Sequence, residues 1–190
     1  PLSWAVDDEG IYYDATVPSR LETLLRTTRF DESLRSRAAA LREAICAAGV
    51  TKYNVGSGAW QRPADAQRVI LVPGQVETDA SIRLGTVGIK RNMELLKAVR
   101  AANPDALVLY KPHPDVREAL RRAGEDENHA GTWCNEVIED VPFERLLDQV
   151  DEVHVLTSLA GFEALMRGKR VTCYGQPFYS GWGLTEDIHP

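Results

Sequence analysis

Ala106-Leu107-Val108-Leu109-Tyr110-Lys111-Pro112-His113-Pro114-Asp115 is the stretch on which the fold turns. Five apolar residues read as a buried strand, and two prolines bracket a histidine just past a lysine. Proline cannot donate to a strand ladder and pushes the residue before it away from the helical region, so the strand must stop here. Its last side chains, Lys111 and His113, are thereby handed to a defined turn. In an open α/β sheet the carboxyl ends of the strands are where ligands bind, and a lysine beside an imidazole suits a phosphate or a carboxylate. For an isolated His-Pro dipeptide a surface turn carrying an ordinary histidine is the better reading, and the motifs further along the chain reverse that preference.

The same grammar repeats on both sides of this stretch. Arg68-Val69-Ile70-Leu71-Val72-Pro73 is a second buried strand, followed by the loop Gly74 to Ser81 and a helix from about Asn92 to Ala101. A helix from Asp115 to Arg122 follows the His-Pro turn. Further on, Val137-Ile138 reads as a short strand, Phe143 to Leu147 as a helix, Glu152 to Leu156 as a strand, Ser158 to Met166 as a helix, and Arg170 to Tyr174 as a last strand. Strands that are apolar throughout and alternate with helices predict an α/β fold, a Rossmann-like parallel sheet flanked by helices. This unit is expected over residues 51–190. Residues 1–50 read differently: Pro1 to Asp14 as a hairpin turning at Asp7-Asp8-Glu9-Gly10, then two helices, opened by Pro18-Ser19 and by Asp31, that pack together. They are expected to form the connection to a missing half, because the chain begins and ends abruptly, as if cut from a longer protein.

The chain has 190 residues and a net charge of -6, which argues against nucleic-acid binding through general electrostatics. Any anionic ligand must be met by local basic groups. Cys46, Cys134 and Cys173 are far apart and have no histidine at zinc-ligand spacing, so reduced thiols in a cytoplasmic protein and no metal are expected. No stretch has the apolar length to cross a bilayer. Phosphate-loop, GxSxG, HExxH and complete GxGxxG patterns do not occur, which weighs against ATPase, hydrolase, metalloprotease and dinucleotide oxidoreductase readings.

Three other segments carry candidate chemistry. Thr157 and Ser158, with Leu159, Ala160 and Gly161 after them, open a helix directly from a buried strand, and free N–H groups among small residues admit an anion. Simple N-capping explains the same residues. Glu163 either supports this helix end or holds the hydroxyls of a ribose. Gln75, Glu77, Asp79 and Ser81 should face the same sheet edge, as acid and base, sugar ligands or turn caps, with Arg83 close behind. Finally, Gly175 to Thr185 is aromatic and glycine-rich, a composition that suits a pyranose packed on ring faces.

Taken together, residues 72–83, Tyr110 to Asp115, Val155 to Leu165 and Tyr174 to Gly183, with Gly10-Ile11-Tyr12-Tyr13-Asp14-Ala15 before them, resemble the KpsC-like capsule polysaccharide biosynthesis proteins. The resemblance implies one half of a GT-B-like glycosyltransferase that moves Kdo with retention from CMP-Kdo to a lipid-linked saccharide acceptor. The His-Pro dipeptide is similar to that of bacterial sialyltransferases, which also use a CMP-activated keto acid. By this resemblance His113 and Pro114 lie at the CMP phosphate, where His113 assists the leaving group, with Lys111 nearby. Ser158, Leu159, Ala160 and Gly161 then bind phosphate or cytidine, Glu163 the ribose, and Gln75, Glu77 and Arg83 the Kdo or its surroundings.

Beyond the donor itself no cofactor is implied, and the place of action is the cytoplasm, with peripheral contact at the inner membrane. One departure stands out: the acidic motif expected to supply the nucleophile precedes the segment with which this chain begins. Retaining transfer through a covalent intermediate needs a carboxylate at the anomeric carbon, so the chain alone is expected to bind CMP weakly and to transfer nothing. Two alternatives stay open, a non-catalytic nucleotide-sugar-binding module and a sialyltransferase-like enzyme using another CMP-sugar.

Overall fold

The computed structural model describes residues 5–189. Six strands, β1 (Val69–Pro73), β2 (Leu107–Lys111), β3 (Glu136–Val137), β4 (Glu152–Val155), β5 (Arg170–Cys173) and β6 (Glu186–Asp187), form one sheet in the order β3-β2-β1-β4-β5-β6. Every pairing is parallel. This is the doubly wound order in which chain direction across the sheet reverses between β1 and β4, and a crevice opens outside the strand ends at that reversal.

Apolar runs explain the central strands. All five residues of β1 are buried, as are all four of β4, because helices cover both faces. One core layer joins Val69, Leu71, Leu109 and Val153 to Phe143, Leu146 and Leu147 of helix α6 (Phe143–Gln149) and to Ala164 of helix α7 (Leu159–Met166). The opposite layer joins Ile70, Val72, Val108 and Tyr110 to Met93, Leu95, Leu96 and Val99 of helix α4 (Asn92–Ala102).

Several expectations are corrected. The helix expected to run to Arg122 is a single turn, α5 (Pro114–Arg117), and Ala119 adopts a left-handed φ of 56°. Leu120 is 73% exposed, so no apolar face carries the helix further. Residues 80–85, read as loop and connection, form helix α3 (Ala80–Gly85). A 3₁₀ turn (Glu127–Thr132) and the two-residue β6 were not foreseen.

The N-terminal region departs most. Pro1 to Trp4 of the expected hairpin lie outside the described residues, and residues 5–14 contain no strand. The turn itself forms: Asp7 Oδ1 accepts the Glu9 and Gly10 N–H groups, and the Asp14 N–H donates to the Ile11 carbonyl. Helix α1 (Arg20–Thr27) starts at a capping box between Ser19 and Glu22, and helix α2 (Glu32–Ala47) starts where Asp31 accepts the Leu34 N–H. Neither helix buries a residue, so they do not form the packed pair their apolar spacing suggested. Leu24, Leu34 and Leu41 remain exposed, and residues 5–50 add nothing to either core layer.

Candidate functional site

At the β1/β4 reversal lies a cavity of about 430 Å³, within the size range of small-molecule sites. Gln75 is buried in its lining. The side-chain Nε2 of Gln75 donates to Ser81 Oγ at 3.0 Å and Thr157 Oγ1 at 2.9 Å, and its Oε1 accepts the Thr157 N–H at 3.3 Å. One amide therefore ties the loop after β1 to the loop after β4. Close approach of the neighbouring turns needs glycine: a Cβ on Gly74 would sit 2.6 Å from the Tyr110 hydroxyl, and one on Gly175 2.7 Å from the Gly85 carbonyl.

On the β2 side, His113 caps α5, and its Nδ1 accepts the Asp115 N–H at 3.1 Å. An accepting Nδ1 assigns the ring proton to Nε2, which makes no other hydrogen bond among the described residues and leaves a donor at the cavity wall. Burial holds the imidazole below its ordinary 6.5, and nearby Lys52 and Arg121 act in the same direction against Asp115 and Asp79. The ring meets Tyr53 edge-on, with centroids 5.0 Å apart. Lys111 also lines the cavity, but its Nζ donates to the Glu139 and Val141 carbonyls at 3.1 and 2.8 Å. Burial, with Arg117 adding to it, lowers this ammonium to about 8.

On the β4 side, Ser158 Oγ accepts the Ala160 N–H at 3.2 Å, and the Ser158 carbonyl is held by the Tyr179 hydroxyl. The first turn of α7 thus points its amino end at the cavity, which Ser158, Leu159 and Ala160 line. Glu163 is buried on the same wall and accepts the Lys52 N–H at 2.5 Å, and burial raises its carboxyl above the ordinary range.

Eight predicted residues, Gln75, Lys111, His113, Pro114, Ser158, Leu159, Ala160 and Glu163, therefore converge on one cavity. Gly161, Glu77 and Arg83 are not among its lining residues. Gly161 is buried against the Tyr179 ring, where any side chain would collide. Glu77 accepts the Asn92 N–H at 2.8 Å and the Glu125 N–H at 3.3 Å, fastening the start of α4 to a neighbouring loop. Arg83 is exposed in the last turn of α3.

Other wall residues escaped the reading. Tyr12 and Tyr13 close one side from far away in sequence, and Thr51, Lys52 and Tyr53 close another. Pro177 and Phe178, from the aromatic glycine-rich stretch, complete the rim. Among the described residues no group of three His, Cys, Asp or Glu side chains is placed to hold a metal, and no helix is long and apolar enough to cross a membrane.

Comparison with known proteins matches this geometry to a family. Residues 50–190 fit the family model described as capsule polysaccharide biosynthesis protein. The capsule polysaccharide modification protein LipA of Neisseria meningitidis is 47% identical over 190 residues, all of this chain and 27% of that protein. The lipopolysaccharide-processing protein LpsZ of Rhizobium meliloti is 44% identical over 195 residues, all of this chain and 44% of its own length. The chain thus spans less than half of the curated relatives it matches. Two solved structures from Thermosulfurimonas dismutans superpose with a TM-score of 0.82: KpsC β-Kdo 2,7 transferase, at 45% identity over 97% of this chain and 55% of that one, and KpsC β-Kdo 2,4 transferase, at 34% identity over 96% and 58%. From the apolar parallel strands, the reversal-point cavity and these matches, the chain belongs to the capsule polysaccharide biosynthesis protein family.

Proposed function

We propose that this chain is the donor-binding part of a glycosyltransferase that moves Kdo from CMP-Kdo to a lipid-linked saccharide acceptor. The observation that supports the reading is the cavity at the β1/β4 reversal, lined both by His113, whose Nε2–H has no partner among the described residues, and by the first residues of α7. A phosphate held there receives a neutral imidazole donor on one side and helix N–H groups on the other. As the bond from the anomeric carbon to the phosphate oxygen breaks, the electron pair goes to the leaving CMP. A donor already aimed at that phosphate stabilises the developing charge without reorganising. Glu163 takes the ribose hydroxyls, and Gln75 keeps the two lips in register. Lys111 acts through the loop it holds at Glu139 and Val141, with its charge set back from the phosphate.

The retaining nucleophile falls outside this assignment. Of the two carboxylates on the wall, Asp79 is paired with Arg121 at 2.9 Å, and Glu163 is engaged by Lys52. The proposal therefore gives this chain donor binding and leaving-group stabilisation, with the nucleophile supplied elsewhere in the parent protein and the whole acting at the cytoplasmic face of the inner membrane. Calorimetric titration with CMP, CDP and UMP tests it. CMP should bind most tightly, and His113→Ala should weaken it about tenfold, the loss of roughly one charge-assisted hydrogen bond. Equal affinity for all three nucleotides, indifferent to His113, would refute the reading.

A further inference from the structure

The first turn of α7 leaves one amide unused. The Ala160 N–H donates to Ser158 Oγ at 3.2 Å and the Gly161 N–H to the Ser158 carbonyl at 3.1 Å, while the Leu159 N–H has no partner among the described residues. Leu159 lies on the wall of the cavity at the β1/β4 reversal. Its N–H belongs to the same peptide group as the Ser158 carbonyl, and in a planar trans peptide the two point in opposite directions. Whatever holds that carbonyl therefore decides where the N–H is aimed.

The group that holds it is Tyr179. Its side chain is buried in a core layer, with the ring 5.2 Å from Phe178 and 6.0 Å from Phe162, and its hydroxyl donates to the Ser158 carbonyl. Burial keeps the phenol well above its ordinary 10, so the hydroxyl remains a donor. The loop that carries Tyr179 is fastened on both sides: the Ser180 N–H and Oγ donate to the Pro177 carbonyl at 2.9 and 2.8 Å, and the Trp182 indole Nε1 donates to the Phe178 carbonyl at 3.0 Å. On the helix side a glycine makes the approach possible, since a Cβ on Gly161 would collide with the Tyr179 hydroxyl.

We infer that Tyr179 is a positioning residue for phosphate binding, acting through the Ser158 carbonyl to fix and polarise the Leu159 N–H. Satisfying a buried carbonyl does not account for the hydroxyl, because the Ser158 carbonyl already accepts the Gly161 N–H. A second bond at that oxygen draws electron density toward it, and hydrogen bonds at the two ends of one peptide group reinforce each other, so the N–H becomes the stronger donor. The N–H is also held in place before an anion arrives, and a fixed backbone donor needs little reorganisation. Tyr179 acts from behind the wall: Ser158 and Leu159 line the cavity and Tyr179 does not.

This inference rests on the donor reading, and calorimetry on the purified protein with CMP and cytidine separates the two. Cytidine carries the base and ribose without the phosphate. Tyr179→Phe keeps the ring in the core, and it should weaken CMP about fivefold while leaving cytidine unchanged. Parallel loss of both ligands, or loss of neither, would overturn the inference and leave the donor site standing on wild-type CMP binding. Wild-type protein that binds CMP no better than cytidine would overturn the donor reading and the inference with it. A nitrogen-15 NMR titration of the wild type needs no variant: the Leu159 amide proton should move downfield with CMP and stay in place with cytidine. An amide that ignores bound CMP overturns the inference even where Tyr179→Phe fails to fold.

Discussion

The two lips of the cavity at the β1/β4 reversal hold their functional groups by different means. On the β2 lip a lysine and a histidine sit two residues apart, yet the lysine faces two backbone carbonyls and the histidine keeps a free N–H at the cavity. On the β4 lip no side-chain cation is used; a capped helix end supplies the polarity and a buried carboxyl stands behind it. One lip works through a side chain that a proline turn aims, the other through backbone that a serine caps. Formal charge near a strand end is therefore a poor guide to which group meets a ligand, and unpartnered hydrogen-bonding capacity is a better one.

The largest test of this contrast is Lys111→Met. The Glu139 carbonyl keeps Arg117 as a donor, but the buried Val141 carbonyl loses its partner. Thermal unfolding should therefore show a loss of about 1–3 kcal/mol. Should the variant fold with full stability while CMP binding collapses, the lysine would be a ligand group and the contrast would break. Next comes His113→Ala, with little change in stability and the roughly tenfold loss of CMP affinity given above. Ser158→Ala removes the cap of α7 and should cost about 1 kcal/mol in unfolding, with a smaller effect on CMP than His113→Ala has.

How far the sequence anticipated these lips depended on how local the signal was. The apolar runs that became β1, β2, β4 and β5 needed no partner to be recognised, and the His113 turn and Ser158 cap are each written within a few residues. Glu77 and Gly161 fall outside the cavity lining, because a carboxylate anchoring Asn92 and a glycine making room for Tyr179 carry the same letters as ligand residues. Tyr12, Tyr13 and Tyr53 reach the cavity through irregular segments, where no periodicity announces direction. The amphipathic spacing of α1 and α2 reported an apolar face correctly, but periodicity does not say what covers it.

A smaller effect concerns pH. Burial holds the folded His113 and His154 below 6.5, so the unfolded chain binds their protons first. Stability from these two groups is fully present above 6.5 and is lost as pH falls through their folded values. In denaturant titrations at stepped pH, His154→Phe and His113→Asn should each flatten that decline. The smallest test uses Arg117→Ala. Removing that charge should move the Lys111 ammonium upward from about 8 in a side-chain nitrogen NMR titration.

Gln75 has a further consequence. Its amide is the bolt between the lips, engaged at both ends by Ser81 and Thr157, and it carries no formal charge. A glutamate would nearly match its shape, but its carboxylate could not donate the two bonds and would add a negative charge to the cavity lining. Under the proposed donor reading, a neutral group at this position spares the phosphate a further like charge beside Asp79 and Glu163, so Gln75 would serve as an insulator as much as a brace.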